Sequence, residues 1–134
     1  MTWSSSYAVG VDVIDEQHKE LFSRTNRLLE ACQEGRGREV VGETLKFLED
    51  YVKTHFATEE SLMEKYAYPE FVAHKQLHQG FTEAFMKLKE EAAKGTGLTL
   101  VTQVNKTVVD WWIHHILKVD KKLGVFLQEK MTRG

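Results

Sequence analysis

The residues in this chain whose types and spacing could do chemistry are histidines and carboxylates that lie where apolar residues would be expected. Five of the six histidines fall on stripes with helical periodicity, among leucines, valines and phenylalanines. Three motifs stand out: HxxxE over 55–59, HxxxH over 74–78 and HxxxxD over 115–120. A spacing of four residues puts both side chains on one face of a helix. The candidate metal ligands are His18, His55, Glu59, His74, His78, His115 and Asp120.

Burying these side chains carries a free-energy cost that the fold must offset. An unpaired buried charge costs several kcal/mol, so the cluster requires either a hydrogen-bonded network or a metal ion. Each motif alone is a weak signal, because a single histidine on an apolar stripe is usually a hydrogen-bonded core residue. With a helix rise of about 1.5 Å per residue, however, all seven side chains fall at the same end of an antiparallel bundle. Four helices would then contribute to one site, which favours the metal.

The number of ligands indicates how many ions the site would take. Seven side chains exceed the ligand number of one zinc or one octahedral ion, so they predict two metal ions. Mixed imidazole and carboxylate ligation suits iron, whereas copper or zinc would rarely combine bridging carboxylates with so many histidines. If both carboxylates and one solvent-derived group bridge two octahedral ions, one ligand position stays open. Such a position is suited to a small diatomic ligand.

The elements that must position these residues are four long helices. Apolar periodicity predicts helices over about 12–34, 39–66, 69–93 and 99–129, with Pro69 as the first residue of the third. Breaks over 35–37, 67–69 and 95–97 are short, so each helix should run antiparallel to the one before. The prediction is an all-α, up-down-up-down four-helix bundle in a single domain, 1–134. An N-terminal arm over 1–11 lies outside it, with Trp3 and Tyr7 as aromatic anchors.

Composition excludes several other classes of protein. The chain is 42% apolar and 28% charged with a net charge of −2, which excludes disorder and gives no electrostatic reason to bind nucleic acid. Its single cysteine, Cys32, cannot form an internal disulfide, and we interpret it as a buried apolar residue. Residues 1–20 have neither the basic nor the apolar segment of a signal peptide, and no stretch is suited to membrane insertion, so we expect a cytoplasmic location. Well-charged outer faces favour a monomer.

Taken together, these motifs make the chain resemble the hemerythrin family, and in particular its single-domain bacterial members, the bacteriohemerythrins. The resemblance covers nearly the whole chain: it begins with 10–22 around the first histidine and continues through 55–59, 74–78 and 115–120. It implies two iron ions per chain with an oxo or hydroxo bridge. In the implied ligand set, three histidines hold one iron, two hold the other, and both carboxylates bridge. The three are His74, His78 and His115; the two are His18 and His55; the bridges are Glu59 and Asp120.

The function that the resemblance implies is reversible dioxygen binding at the two-histidine iron, for oxygen storage, transport or delivery. We predict no enzymatic activity, because no spare acid or base is evident beside the apolar candidates for the dioxygen pocket. Those candidates are Phe56, Trp111, Leu21 and Phe22. Dioxygen is the expected partner, together with an oxygen-consuming enzyme that receives it. The alternatives are a di-iron redox or oxygen sensor, an oxidoreductase that handles peroxide or nitric oxide, and iron storage. His114 matches no ligand position and should face solvent or a helix interface.

Overall fold

The computed structural model describes residues 2–34, 38–94 and 98–133 and shows an all-helical chain over them, with no strand in those ranges. Helices α1, Asp12–Gln33, α2, Arg38–Lys65, and α3, Phe71–Lys94, are continuous. The fourth, α4, spans 98–133 and consists of α-helical Leu98–Val104, Asp110–His115 and Lys121–Arg133 with two π-helical segments between them. The predicted breaks over 35–37 and 95–97 lie outside the described residues.

The four helices pack in a ring around one core. Helix α1 contacts α2 and α4, and α3 contacts the same two helices, so the predicted up-down-up-down bundle is confirmed. The buried face of α3 follows alternating spacings of four and three residues, which is the seam of a helix packed on two neighbours. Its buried residues are His74, His78, Phe81, Phe85, Leu88 and Ala92. Leu77 is 43% exposed, although it is apolar and lies between the two buried histidines, because it falls outside that seam.

The turn between α2 and α3 explains why α3 begins later than predicted. Ala67 has a positive φ of 54°, and Tyr68 N–H reaches back to the carbonyl of Met63 at 2.8 Å, which closes α2 with a Schellman motif. Pro69 then lies in a turn in which Phe71 N–H donates to Tyr68 O at 3.1 Å. The bond from His74 N–H to Glu70 O at 2.9 Å opens the helical ladder, so the first helical residue is Phe71 and not Pro69.

The N-terminal arm is pinned to the bundle by the two predicted aromatic residues. The ring of Tyr7 packs edge-on against Phe22 of α1, with centroids 5.2 Å apart. Trp3 is partly buried and has the ammonium of Lys19 4.7 Å from its ring centroid. A 3-10 turn, Ser5–Tyr7, orients these side chains toward α1. The arm therefore covers α1 over the helical turn that follows the candidate ligand His18.

The junction between the arm and α1 has an apolar residue at the N-cap position. Val11 occupies the N-cap position and its side chain is buried, so the arm contributes to the core at this end. Asp15 instead reaches back from the first turn, and its carboxylate accepts hydrogen bonds from the amides of Val9 at 2.8 Å and Gly10 at 3.2 Å. Gly10 has a φ of 88°, which bends the chain toward the helix.

None of the helices in the described ranges is long and apolar enough to cross a membrane.

Candidate metal centre

The seven predicted ligands converge in the interior of the bundle. One side chain comes from α1, two from α2, two from α3 and two from α4, and none is more than 2% exposed. Their ligand atoms form two overlapping groups in which all atoms lie within 4.8 Å of one another. The first group is Glu59, His74, His78, His115 and Asp120; the second is His18, His55, Glu59 and Asp120. Both carboxylates belong to both groups.

Glu59 divides its two oxygens between the groups. Its Oε1 lies 3.1 Å from Nε2 of His78 and 3.3 Å from Nε2 of His74. Its Oε2 lies 3.3 Å from Nε2 of His55, one turn earlier on α2, and 3.8 Å from Nε2 of His18. A carboxylate that offers one oxygen to each side has the orientation of a bridging ligand.

Asp120 repeats this division from the opposite wall of the bundle. Its Oδ1 lies 3.1 Å from Nε2 of both His74 and His115, and its Oδ2 lies 3.1 Å from Nε2 of His18. The three-histidine group and the two-histidine group therefore meet at two shared carboxylates. This is the allocation that the resemblance implied.

The buried polar atoms of this cluster have no hydrogen-bond partner. The Nε2 atoms of all five histidines and all four carboxylate oxygens are without one in the part of the chain that the structure describes. An unsatisfied buried donor or acceptor costs about 1–3 kcal/mol. Nitrogen and oxygen lone pairs that converge in this way are satisfied by cations, and imidazole with carboxylate is a donor set that first-row transition metals accept. The cluster therefore fits metal ions.

A π-helical segment brings the two ligands of α4 onto one face. Residues five apart on an ordinary α-helix are rotated by about 140° from each other. The segment Ile116–Asp120 is π-helical and is followed by Lys121 N–H bonding to Ile116 O, which adds the residue needed to realign His115 and Asp120. Periodicity of 3.6 residues could not predict this segment, although the HxxxxD spacing is its signal.

The carboxylates and imidazoles of the cluster shift one another's pKa values. Burial alone would raise the pKa values of Glu59 and Asp120, but the neighbouring histidines outweigh it and lower both. Burial alone would lower the pKa of His74, but Asp120 and Glu59 raise it to about 9. Burial does prevail at His55, whose pKa is lowered. A cation that enters must therefore displace the proton that His74 carries at neutral pH.

The chain is similar in sequence and in fold to known proteins. A family model described as the hemerythrin HHE cation binding domain matches residues 9–127. The chain belongs to the hemerythrin family. It is 34% identical over 125 residues to a bacteriohemerythrin of Methylococcus capsulatus, covering 92% of this chain and 94% of that one. It is also 34% identical to a bacteriohemerythrin of Stenotrophomonas maltophilia, covering 100% and 91%. A crystal structure of wild-type hemerythrin superimposes with a TM-score of 0.83 at 33% identity, covering 95% and 97%.

Two polar residues behind the hemerythrin ligands were not assigned from the sequence. Nδ1 of His55 lies 2.8 Å from Oε1 of Gln17, and Nδ1 of His78 lies 2.9 Å from Oε2 of Glu60. Each contact fixes the ring so that Nε2 faces the cluster. The sequence indicates these two residues only by their position next to candidate ligands, since Gln17 precedes one and Glu60 follows one.

Aromatic rings surround the ligand imidazoles. Phe56 stacks on His78 with centroids 3.8 Å apart and planes at 6°, and Trp111 stacks on His115 at 4.3 Å and 14°. Trp112, which was not among the pocket candidates, is 1% exposed and lies 5.6 Å from His55 and 6.2 Å from His18, centroid to centroid. It is therefore a wall of the two-histidine side.

The remaining residues that the sequence singled out are buried on α1 or exposed on α4. Leu21 and Phe22 are buried on α1 in the turn that follows the first ligand histidine. Cys32 is a buried free cysteine near the end of α1, as expected. His114 is exposed, which confirms that it is not part of the cluster.

A surface cavity of about 160 Å³ reaches the three-histidine side of the cluster. Its walls include His74 of α3 and Lys118 and Lys122 of α4. Tyr68 and Glu70 close it at the start of α3, and Tyr68 lies edge-on to His74 with centroids 6.4 Å apart. The three-histidine side thus approaches solvent here, in contrast to Trp112 on the other side.

Proposed function

We propose that the cluster holds two iron ions and that the protein binds dioxygen reversibly. His74, His78 and His115 would hold one ion, here called the three-histidine position. His18 and His55 would hold the other, the two-histidine position. Glu59 and Asp120 would bridge the two, together with an oxo or hydroxo group. The observation that carries this proposal is that each carboxylate turns one oxygen to each histidine group.

Iron is favoured by the composition of the donor set. Thiolates, which would favour zinc or copper(I), are excluded from the ligands because Cys32, the single cysteine, belongs to the apolar core. Magnesium and calcium prefer oxygen ligands and would coordinate the five imidazoles only weakly. Imidazole mixed with bridging carboxylate suits iron, which also changes oxidation state and can therefore exchange electrons with a bound gas.

The two-histidine position is the one suited to bind the gas. This position has one imidazole fewer than the three-histidine position, so the protein leaves more coordination positions of the ion open to another ligand. When bound, two ferrous ions supply the electrons for reversible reduction of dioxygen. The role of the protein is to exclude water, and the rings of Phe56 and Trp112 pack against His55 on this side, 6.2 and 5.6 Å away, centroid to centroid.

We further propose that this protein is a carrier and not an enzyme, with dioxygen stored or passed to an oxygen-consuming enzyme. Cleavage of bound dioxygen needs a proton donor near the site. Burial and the nearby Glu70 raise the pKa of Tyr68 to about 12, so its hydroxyl is a poor acid at neutral pH. Besides the imidazole of His18, itself a candidate ligand, the rings next to His55 are those of Phe56 and Trp112, which donate no readily lost proton.

The test is an anaerobic titration of the ferrous protein with dioxygen, followed by purging with inert gas. Iron is counted in the same sample and the visible absorbance is followed throughout. Two irons per chain and a charge-transfer band that appears with dioxygen and vanishes on purging would support the carrier. Irreversible oxidation would favour a redox sensor or a peroxide- or nitric oxide-handling enzyme instead.

Matched variants assign the iron to the cluster. His115→Ala removes a ligand and should lose iron, whereas His114→Ala removes the adjacent exposed histidine and should retain both ions. Equal iron content in the two variants would refute the assignment of this cluster as the iron site.

A further inference from the structure

The two metal positions differ in what lies behind one of their histidines. At the three-histidine position, Nδ1 of His78 is bonded to the carboxylate of Glu60 at 2.9 Å. At the two-histidine position, Nδ1 of His55 is bonded to the side-chain amide of Gln17 at 2.8 Å. One ring therefore faces a negative charge and the other a neutral dipole.

The direction of the hydrogen bonds on the Gln17 side follows from its neighbours. Thr58 Oγ1 donates to the carbonyl of Thr54 at 3.1 Å, which leaves its oxygen free to accept. Gln17 Nε2 donates to that oxygen at 3.0 Å, so its Oε1 must face His55 as an acceptor. His55 consequently carries its proton on Nδ1 and offers the lone pair of Nε2 to the cluster.

Glu60 imposes the same tautomer on His78 but adds a charge. A carboxylate has only acceptor atoms when ionised, so Nδ1 of His78 must donate. The side chain of Glu60 is 25% exposed, so water reaches its carboxylate. The His78 ring that it contacts is stacked on Phe56. A carboxylate behind a ligating histidine raises the basicity of the ring and strengthens its bond to the metal.

We propose that Glu60 is a positioning residue that strengthens metal binding at the three-histidine position, and that Gln17 sets the weaker affinity of the two-histidine position. This inference rests on the proposed function, in that the cluster must bind two ions. It predicts that exchanging the charge between the two residues changes the two affinities in opposite directions. Glu60→Gln keeps the hydrogen-bonding shape but removes the charge, and Gln17→Glu adds one.

The experiment titrates metal-free protein with Co²⁺ and follows the two binding steps by visible absorbance and calorimetry. Mutation of a residue that hydrogen-bonds to a ligating histidine typically lowers metal affinity about 10–100-fold, so Glu60→Gln should weaken the tighter step at least about tenfold and spare the other. Gln17→Glu should tighten the weaker step by a similar factor. Thermal unfolding of both metal-free variants should match wild type, which a purely structural role would not predict.

The outcomes separate this inference from the function on which it depends. If wild-type protein binds no Co²⁺ and no Fe²⁺, the proposed function and the inference both fail. If wild type binds two ions and Glu60→Gln has unchanged affinities, the inference alone is overturned. A change of the same size in both steps would also overturn it, because the charge would then act on the cluster as a whole.

Discussion

Trp112 offers the strictest test of how the bundle shields the two-histidine side. Its ring is 1% exposed and lies 5.5–6.2 Å, centroid to centroid, from His18, His55, Phe56 and Phe81. The indole N–H has no hydrogen-bond partner in the described ranges. Replacing this residue by alanine should therefore open a cavity beside the ligands, while phenylalanine should preserve most of the packing.

The expected losses of stability for the two variants are very different. A buried tryptophan removes about 200 Å² from water, which at about 25 cal/mol per Å² corresponds to about 5 kcal/mol for Trp112→Ala. Trp112→Phe loses part of this area but also removes an unpaired buried donor, which costs about 1–3 kcal/mol. We therefore expect Trp112→Phe to lie within about 1 kcal/mol of wild type. Urea unfolding of the metal-free proteins measures both values.

The functional readout is the rate at which the ferrous protein oxidises irreversibly in air. Water that enters the cavity of Trp112→Ala should raise this rate at least about tenfold, equivalent to about 1.4 kcal/mol in activation free energy. Trp112→Phe should oxidise at nearly the wild-type rate. Trp111→Phe is the control, because Trp111 stacks on His115 of the three-histidine side. Equal oxidation rates for Trp112→Ala and wild type would refute the shielding role.

Four further substitutions test the framework around the site. Ala67→Gly relieves a positive φ of 54° at the end of α2 and should raise the melting temperature by roughly 2–4 °C, since glycine adopts this backbone without strain. Burial raises the pKa of Glu49, but the hydrogen bond from Lys89 at 2.7 Å outweighs it and leaves the pKa lowered. Glu49→Gln should therefore lose about 1 kcal/mol of unfolding free energy above about pH 4.3, and this difference should disappear as the pH falls through the lowered pKa, as followed by urea unfolding against pH. A Cβ added to Gly124 would collide with the backbone of the N-terminal arm, so Gly124→Ala should lose about 1–3 kcal/mol in urea unfolding. Gly80→Ala meets open space on α3 and should instead gain about 0.5–1 kcal/mol.

The bundle was predictable because each helix carries an apolar stripe that lasts for several turns. The ends of helices were less predictable, since they depend on local backbone geometry. Ala67 ends α2 in a left-handed backbone conformation, which alanine rarely adopts and which the sequence therefore does not predict. Pro69 lies in the turn that follows and not in α3. Leu77 shows the corresponding limit for burial: apolar character places a residue near the core, but contact with two neighbouring helices decides whether it is covered.

The candidate ligands carry a signal in the sequence, but the residues that hold their rings in place do not. Histidine and carboxylate on an apolar stripe stand out against leucine and valine, so their positions carry a signal. Gln17 and Glu60 occupy positions where polar residues are expected on a helix surface, and only the packed structure shows that they bond to ligand rings. Trp112 is an apolar residue of the core, yet its contact with both rings of the two-histidine side depends on how α4 is rotated by its π-helical segments.

The cost of the site to the fold explains why metal and bundle depend on each other. Eleven side-chain nitrogen and oxygen atoms of the ligand set lack hydrogen-bond partners in the described structure, and each such atom costs about 1–3 kcal/mol. The whole stability of a domain this size is about 5–15 kcal/mol, so these atoms cannot all remain unsatisfied. Protonation of His74 offsets part of the cost without metal, because the proton neutralises charge on the shared carboxylates. Metal ions offset far more, because one ion satisfies several converging lone pairs at once. A core of leucine in these seven positions would pack without that cost, so the histidines and carboxylates are explained by what they bind and not by the stability of the bundle.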